Sequence, residues 1–450
     1  MTPYGDLHPS PRILLGPGPS MADPRVLRAM STSLLGQFDP EFTAIMNEVT
    51  ELIRFAFETE NQRAFPVPGT GRAGLEAAIT SLVEPGDRVV VGECGRFGLL
   101  LIEIAERCGA EVVAIRGEWG RVLEPDAFAA ALDGRRSKLV AVVHGETSTG
   151  VLQPLEDIAR LAHAHDALLM VGAVVTLGGC EVAVDRWGVD IAVAGTQKCL
   201  SCPSGLAPVT YDARVDARLA RRREKVRSNY LDLAQIADYW SPRRFNHHTA
   251  PTTMVYGLRE ALRAFHAEGR AARFARHRLH GDAMRSGVEA LGLSIFGTEP
   301  PEHRLPFLIP VVVPDGLDEL RVRRRLIDEF GVEIGAAFGP LLGKIWRIGT
   351  MGYSASRQNG AHGSRGARAG AARRGLALRR RCGRGRRACV LSRGGRHDGR
   401  RRRQSRRWRH RPRVSAVDRA PGISSRARCS RAAAPRTRAC RGRSSGWLPA

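Results

Sequence analysis

The sequence predicts an α/β protein: a large, mostly parallel sheet covered by helices on both faces, then a smaller α+β domain, then an arginine-rich tail. Short apolar runs alternate with stretches of helical periodicity over the first 250 residues. Those runs are apolar on both faces, as strands buried on both sides must be. Composition then changes abruptly near Gly360.

Residues 1–20 read as an N-terminal arm and 21–250 as the large domain. Over 39–59, Phe42, Ile45, Met46, Val49, Leu52, Ile53 and Ala56 recur at helical spacing behind an Asp-Pro start that suits a first helical turn. The runs 88–91, 112–115, 139–143, 168–171 and 191–194 read as strands, and 75–83, 99–107 and 155–163 as helices between them. Around 241–250 the pattern breaks. A helix carrying Met254, Val255, Leu258, Leu262 and Phe265 follows, then a strand over 307–313, a helix over 317–330 and the apolar WRIG at 346–349. These make the smaller domain, 251–359. No internal repeat is visible.

The net charge of +25 is not spread over the chain. Residues 361–450 hold 29 Arg, no Lys and two acids, a net of +27, which leaves residues 1–360 at −2. A nearly neutral body excludes a protein that binds nucleic acid throughout its length. The tail has eight Leu, Ile or Val and no Phe, too few to bury against such a charge, so disorder is expected over 360–450. Arginine-rich and lysine-free, it reads as the product of a shifted frame of GC-rich DNA. A nucleic-acid-binding arm is the rival reading, and Trp408 and Trp447 give it little to stack on bases. No run of 18 apolar residues and no signal-peptide pattern occurs, so a cytoplasmic protein off the membrane is expected. The body cysteines, including Cys199 and Cys202, make neither a disulfide framework nor a metal signature and read as free buried thiols.

Ligands on such sheets sit at the carboxyl ends of strands. Lys198, in GTQK directly after the run at 191–194, stands at such an end among small and hydroxyl residues. A lysine shielded there can lose its proton and attack an aldehyde, whereas one in an open loop is only solvated. Gly69, Thr70 and Gly71 open a helix after Pro66 and Val67, where free N–H groups suit an anion such as phosphate. HGETSTG at 144–150 and VGAVVTLGG at 171–179 are two further strand ends, and the four would converge on one crevice.

Six motifs in order, LLGPGP at 14–19, GTGRAG at 69–74, HGETSTG, GTQK, NHHT at 246–249 and KIWRIGTMG at 344–352, resemble the class V, fold-type I pyridoxal-phosphate aminotransferases. The likeness covers residues 11–359. Within the family it lies in the alanine–glyoxylate and serine–pyruvate branch, and is most similar to the ureidoglycine–glyoxylate aminotransferases. The resemblance implies a homodimer with shared active sites, acting on small amino and keto acids with pyridoxal 5'-phosphate as cofactor. It implies that Lys198 holds the cofactor covalently and moves the substrate proton. It gives the phosphate to Thr70, Gly71, Gln197 and, from the partner subunit, Thr249, with Arg72 in the same loop. Phe97 would stack on the ring, Thr147 would contact the ring's polar side, and Arg347 would clamp the substrate carboxylate. Gln37 and Asn246 match positions that ureidoglycine-type relatives use for the ureido group, where alanine–glyoxylate enzymes carry an aromatic at the Asn position. The implied reaction takes ureidoglycine and glyoxylate to oxalurate and glycine, with an alanine– or serine–glyoxylate enzyme as the alternative.

One position departs from the family. Gly172 stands where the family has an aspartate that pairs with the pyridine nitrogen and makes the ring an electron sink. Asp166, the nearest acid, lies at the far side of the strand. A chain that binds the cofactor yet transaminates poorly is therefore expected.

Overall fold

The computed structural model describes residues 4–359; the tail over 360–450, with its expected disorder, lies outside the described residues. Seven strands form the main sheet in the order Arg63–Pro68, Leu206–Tyr211, Ile191–Val193, Leu168–Gly172, Leu139–Val143, Arg88–Glu93, Glu111–Arg116. All are parallel except Leu206–Tyr211, which runs antiparallel to both neighbours. The fold class is thus the one the sequence predicts. Val89, Val90 and Val91, like 139–142 and 168–171, are buried on both faces, as the continuous apolar runs required.

Two strands of this sheet escape the periodicity argument. Arg63–Pro68 contains Pro66 and Pro68, and Leu206–Tyr211 contains Pro208, which faces Pro66 in the register. Proline cannot donate to a ladder and is confined to edges or to positions that need no donor. Arg63–Pro68 is one of the two edge strands, and Pro208 uses only its carbonyl, accepting from the Ala194 N–H at 2.8 Å.

The helix Pro40–Phe57 begins as expected: Asp39 caps it by accepting the Glu41 N–H, and Pro40 occupies the first turn. It buries Phe42, Met46, Val49, Ile53, Ala56 and Phe57, and packs against Thr252–Glu268 with Phe42 edge-on to Tyr256. Each of the larger of these side chains contributes roughly 1.5–3 kcal/mol when fully buried.

A second, antiparallel sheet has Ile345–Gly349 between Leu308–Val312 and Gly335–Ala336. Its own core gathers Leu15, Met284, Val288, Ile309, Val311, Leu326 and Trp346. Side chains alternate along a strand, so Trp346 enters that core and Arg347 points to the opposite face. The arm joins this layer: Ile13–Leu14 pairs in parallel with Val332–Glu333.

The helix Arg270–Ala290 has no counterpart among the predicted elements. Its buried positions, Arg273, His277, Gly281, Met284 and Val288, follow helical spacing but are mostly not apolar. Arg273 donates to the carbonyls of Cys199 at 2.6 Å and Gly178 at 3.2 Å, and His277 Nε2 accepts the Gly352 N–H at 2.8 Å. The helix therefore braces the loop that follows Lys198. Among the described residues no helix is long and apolar enough to cross a membrane.

Candidate active site

Lys198 follows the strand Ile191–Val193 and is partly buried. Its Nζ donates to the Pro17 carbonyl at 2.5 Å, and its own carbonyl accepts the Ser20 hydroxyl at 2.7 Å. The Ser20 N–H donates to the Gln197 carbonyl at 2.9 Å, so the arm is laced to the Gln197–Lys198 turn at three points. Gly18 sits between them at φ +114°, in the region that favours glycine, and a Cβ there would collide with Nζ. Burial first, and the charge of Arg347 second, lower the Lys198 pKa from an ordinary 10.5 to about 8. The neutral, nucleophilic amine therefore becomes abundant as pH rises through about 8. Reductive trapping of a simple aldehyde on the cofactor-free protein is expected to be half-maximal near that pH, and in Arg347→Gln at a higher one. A midpoint above pH 10 would show that the lysine is solvated.

Arg347 is 4 % exposed. Its Nε donates to the Ala336 carbonyl at 2.6 Å and its Nη1 to the Thr147 carbonyl at 3.1 Å, while the guanidinium lies 4.4 Å from the Phe338 ring centre. Burial lowers its pKa to about 10, opposed by Glu146, so it stays charged at neutral pH. Phe338 meets Phe97 edge to face at 6.3 Å between centroids. Phe97, Phe338, Arg347 and Thr147 thus form one contiguous wall, joined from segments far apart in sequence.

The third group lies at the ends of Arg63–Pro68, Leu168–Gly172 and Ile191–Val193. Thr70 is the N-cap of the helix Gly71–Leu82, but its side chain makes no capping hydrogen bond. The first turn leaves backbone N–H groups without intrahelical acceptors. Gly71 is buried against Val174: a Cβ on it would stand 3.0 Å from both Val174 methyl carbons and 3.3 Å from the Ala194 carbonyl oxygen. Gln197 Oε1 is buried without a partner. An amide turned by half a rotation presents an N–H from the same place, so this end can meet an anion. Free N–H groups, an uncommitted hydroxyl and an orphaned amide fit a phosphate monoester, and a buried amine of lowered pKa fits its aldehyde. The residues present therefore suit pyridoxal phosphate.

Other expected residues stand elsewhere. Arg72 is exposed and lines a cleft of about 360 Å³ with Glu76, Glu103, Arg107, Arg222 and Arg227. Gln37 and Asn246 come together across 209 residues, Gln37 Nε2 donating to Asn246 Oδ1 at 3.0 Å while Gln37 Oε1 accepts the Ala250 N–H at 2.9 Å. Asn246 and Thr249 are exposed on this surface. Gly172 is buried at its strand end, its carbonyl accepting the His144 N–H at 3.1 Å. Asp166 sits at the other end of the same strand, paired with Arg136 and Arg218. Burial pushes the Cys199 and Cys202 thiols up to about 12, so neither is a thiolate nucleophile at neutral pH.

Sequence reasoning did not single out Glu146, Phe338 or the Pro17 carbonyl. Glu146 lies within a motif that was read for its hydroxyls, and an acid in a polar loop reads as solvated. Here it is 1 % exposed.

The sequence profile of the family Aminotransferase class-V matches residues 13–340. A (S)-ureidoglycine–glyoxylate transaminase from Bacillus subtilis is 49 % identical, the match covering 77 % of this chain and 88 % of that protein. An alanine–glyoxylate aminotransferase from Drosophila melanogaster is 38 % identical over the same shares. The crystal structure of ureidoglycine–glyoxylate aminotransferase from Bacillus subtilis superposes with a TM-score of 0.80 at 50 % identity, covering 82 % of this chain and 95 % of that one. That of an alanine–glyoxylate aminotransferase from Nostoc sp. gives a TM-score of 0.80 at 41 % identity, over 82 % and 97 %. With its fold, its buried lysine and these matches, the chain belongs to the class-V aminotransferases.

Proposed function

We propose that this chain transfers the amino group of ureidoglycine to glyoxylate, giving oxalurate and glycine, with pyridoxal phosphate held on Lys198. The observation that carries the choice of donor is the amide pair Gln37–Asn246. With Gln37 Oε1 on Ala250 and one Gln37 N–H on Asn246 Oδ1, the uncommitted groups include the second Gln37 N–H and both Asn246 N–H groups. These can donate to a ureido carbonyl, and the remaining amide lone pairs can accept from its NH₂. A purely apolar amino-acid side chain would leave them unpaired, which is how polar sites discriminate.

When bound, pyridoxal phosphate supplies an aldehyde that condenses with amines and a ring that takes up electron density from the substrate Cα. Lys198 would hold it and would move the proton at Cα. Thr70, Gly71 and Gln197 would hold the phosphate, Phe97 would stack on the ring, Thr147 would contact its polar side and Arg347 would take the substrate carboxylate as a planar fork. Thr249, Asn246 and Gln37 are delivered from a second copy of the chain. Support for such a homodimer comes from the exposure of Asn246 and Thr249, with Gln37 half-buried, beside Leu34, Phe38, Tyr230 and Phe245, which are 50–75 % exposed and largely apolar. A reducing, cytoplasmic setting suits the five free cysteines of the described residues. No role for nucleic acid is assigned.

A donor panel with glyoxylate tests the reading. Glycine should form fastest with ureidoglycine as the donor, and equal or faster use of alanine or serine would favour the alanine/serine–glyoxylate reading instead. Asn246→Phe is expected to lower kcat/KM for ureidoglycine by about 100-fold or more while leaving alanine within a few-fold.

Gly172 favours a second reading, in which the cofactor is bound but amino transfer is slow. No carboxylate is supplied there, so the ring nitrogen lacks the charge that stabilises electron density arriving from Cα.

A further inference from the structure

Beneath the wall formed by Phe97 and Arg347 lies the carboxylate of Glu146, which no part of the proposed mechanism uses. Both of its oxygens face donors. Oε1 accepts the Ser148 N–H at 2.9 Å and the Ser148 hydroxyl at 2.6 Å, and Oε2 accepts the N–H groups of Phe97 at 2.8 Å and Gly98 at 3.3 Å. The same Ser148 hydroxyl accepts the Arg96 N–H at 3.0 Å. Glu146 and Ser148 therefore satisfy the open first turn of the helix Arg96–Arg107, whose N-cap, Gly95, offers no side chain. A Cβ on Gly95 would collide with both Glu146 and Ser148, so a glycine is what admits them.

This turn ties two substrate-facing groups together. On one side it fixes the Phe97 backbone; on the other, Thr147, between Glu146 and Ser148, gives its carbonyl to Arg347. Burial raises the Glu146 pKa above the ordinary carboxylate value, but the carboxylate accepts in all four of its hydrogen bonds, and these pull the other way. The charged form is the one its surroundings bind. Arg347 has no carboxylate within ion-pair distance among the described residues and feels Glu146 through space. A substrate carboxylate on Arg347 therefore meets a pocket that already contains one buried negative charge.

We propose that Glu146 is a positioning and selectivity residue: it aligns Phe97 with Arg347, and its fixed charge makes the site accept monocarboxylates and reject dicarboxylates. The inference rests on Arg347 being the carboxylate clamp. A second carboxylate brought near Glu146 in a water-poor pocket is repelled, whereas an uncharged group of the same shape is not. An acceptor with one carboxylate is thereby selected over longer keto diacids without any steric gate.

Succinate and succinamate, alike in shape and differing by one charge, are the probes, with affinities measured calorimetrically on the holoenzyme. Wild type is expected to bind succinamate about tenfold or more tightly than succinate. Glu146→Gln should bring the ratio close to one, and Glu146→Asp should restore most of it. Ser148→Ala loosens the same turn without altering charge, so it should weaken both ligands and keep the wild-type ratio. A wild-type ratio near one, a folded Glu146→Gln that keeps the wild-type ratio, or a Ser148→Ala that abolishes it would each overturn the proposal. Should Glu146→Gln not fold, the wild-type and Ser148→Ala ratios still decide. Arg347→Gln separates the two readings: unchanged affinities would sink the clamp and this inference with it. Weakened binding of both ligands, together with a ratio indifferent to Glu146, would sink this inference alone.

Discussion

Lys198→Ala is expected to reduce amino transfer at least about 10³-fold, because in the proposed function one substitution removes both the covalent attachment point and the group that moves the Cα proton. The fold should survive it. Nζ makes one hydrogen bond, to the Pro17 carbonyl, and losing one such bond costs about 0.5–1.5 kcal/mol. The arm keeps its other ties, the Ser20 hydroxyl on the Lys198 carbonyl and the Ser20 N–H on the Gln197 carbonyl, which use backbone atoms of the replaced residue and its neighbour. Removing a buried amine of lowered pKa also removes the penalty of burying its charge below about pH 8. Turnover with glyoxylate, cofactor retention after borohydride reduction, and thermal unfolding are the three measurements. The variant should lose the first two and keep the third. Retained turnover would mean that another nucleophile serves the site; lost folding would mean that Lys198 is structural.

Much of this arrangement was legible because it is local. GTQK follows its strand directly, GTGRAG opens its helix directly, and a polar residue just past an apolar run is marked as a strand end by position alone. Pairings across the fold were not. Nothing in HGETSTG says that its glutamate will meet N–H groups 48 and 49 residues earlier, or that Thr147 will lend its carbonyl to Arg347, 200 residues on. The helix Arg270–Ala290 was hidden for another reason. Its buried stripe contains Arg273 and His277, held by hydrogen bonds to backbone, and Gly281, where a Cβ would strike the Pro306 carbonyl; hydrophobic periodicity cannot register these. Prolines masked two strands of the main sheet, although each occupies a position where its missing N–H is not needed. Arg72 sits in a motif that marks a phosphate loop, yet its side chain leaves that loop for a cleft beside Arg222 and Arg227. Adjacency in a motif fixes the backbone there, while the direction of a long side chain is set by what surrounds it.

Gly172→Asp is expected to raise turnover about 10²–10³-fold, the scale on which preorganised charges at a reacting centre act. The position has room for a Cβ. A Cβ on Gly172 would meet Leu75 Cδ2 at 3.5 Å, the Val142 carbonyl oxygen at 3.7 Å and Val143 Cα at 3.8 Å, all ordinary contacts. Neither candidate acid among the described residues fills the role: Asp166 is committed to Arg136 and Arg218 at the other end of the strand, and Glu146 to the helix Arg96–Arg107. The neighbouring His144 does not supply the charge either. Its Nδ1 lies 3.0 Å from the Thr176 hydroxyl, and burial lowers its pKa to about 3, so it is neutral at working pH. An aspartate at 172 carries its own penalty without the cofactor, because a buried carboxylate with no partner is strongly disfavoured. The cofactor-free variant should therefore unfold at a lower temperature than the cofactor-free wild type, and cofactor should recover more stability in the variant than in the wild type. Gly172→Asn, similar in shape but uncharged, separates charge from filling and should gain little turnover. Equal turnover by Gly172→Asp and wild type would reject the argument outright. A gain shared by Gly172→Asn would move the cause from charge to packing. If Asp alone gains, residue 172 limits the reaction through the electronics of the ring.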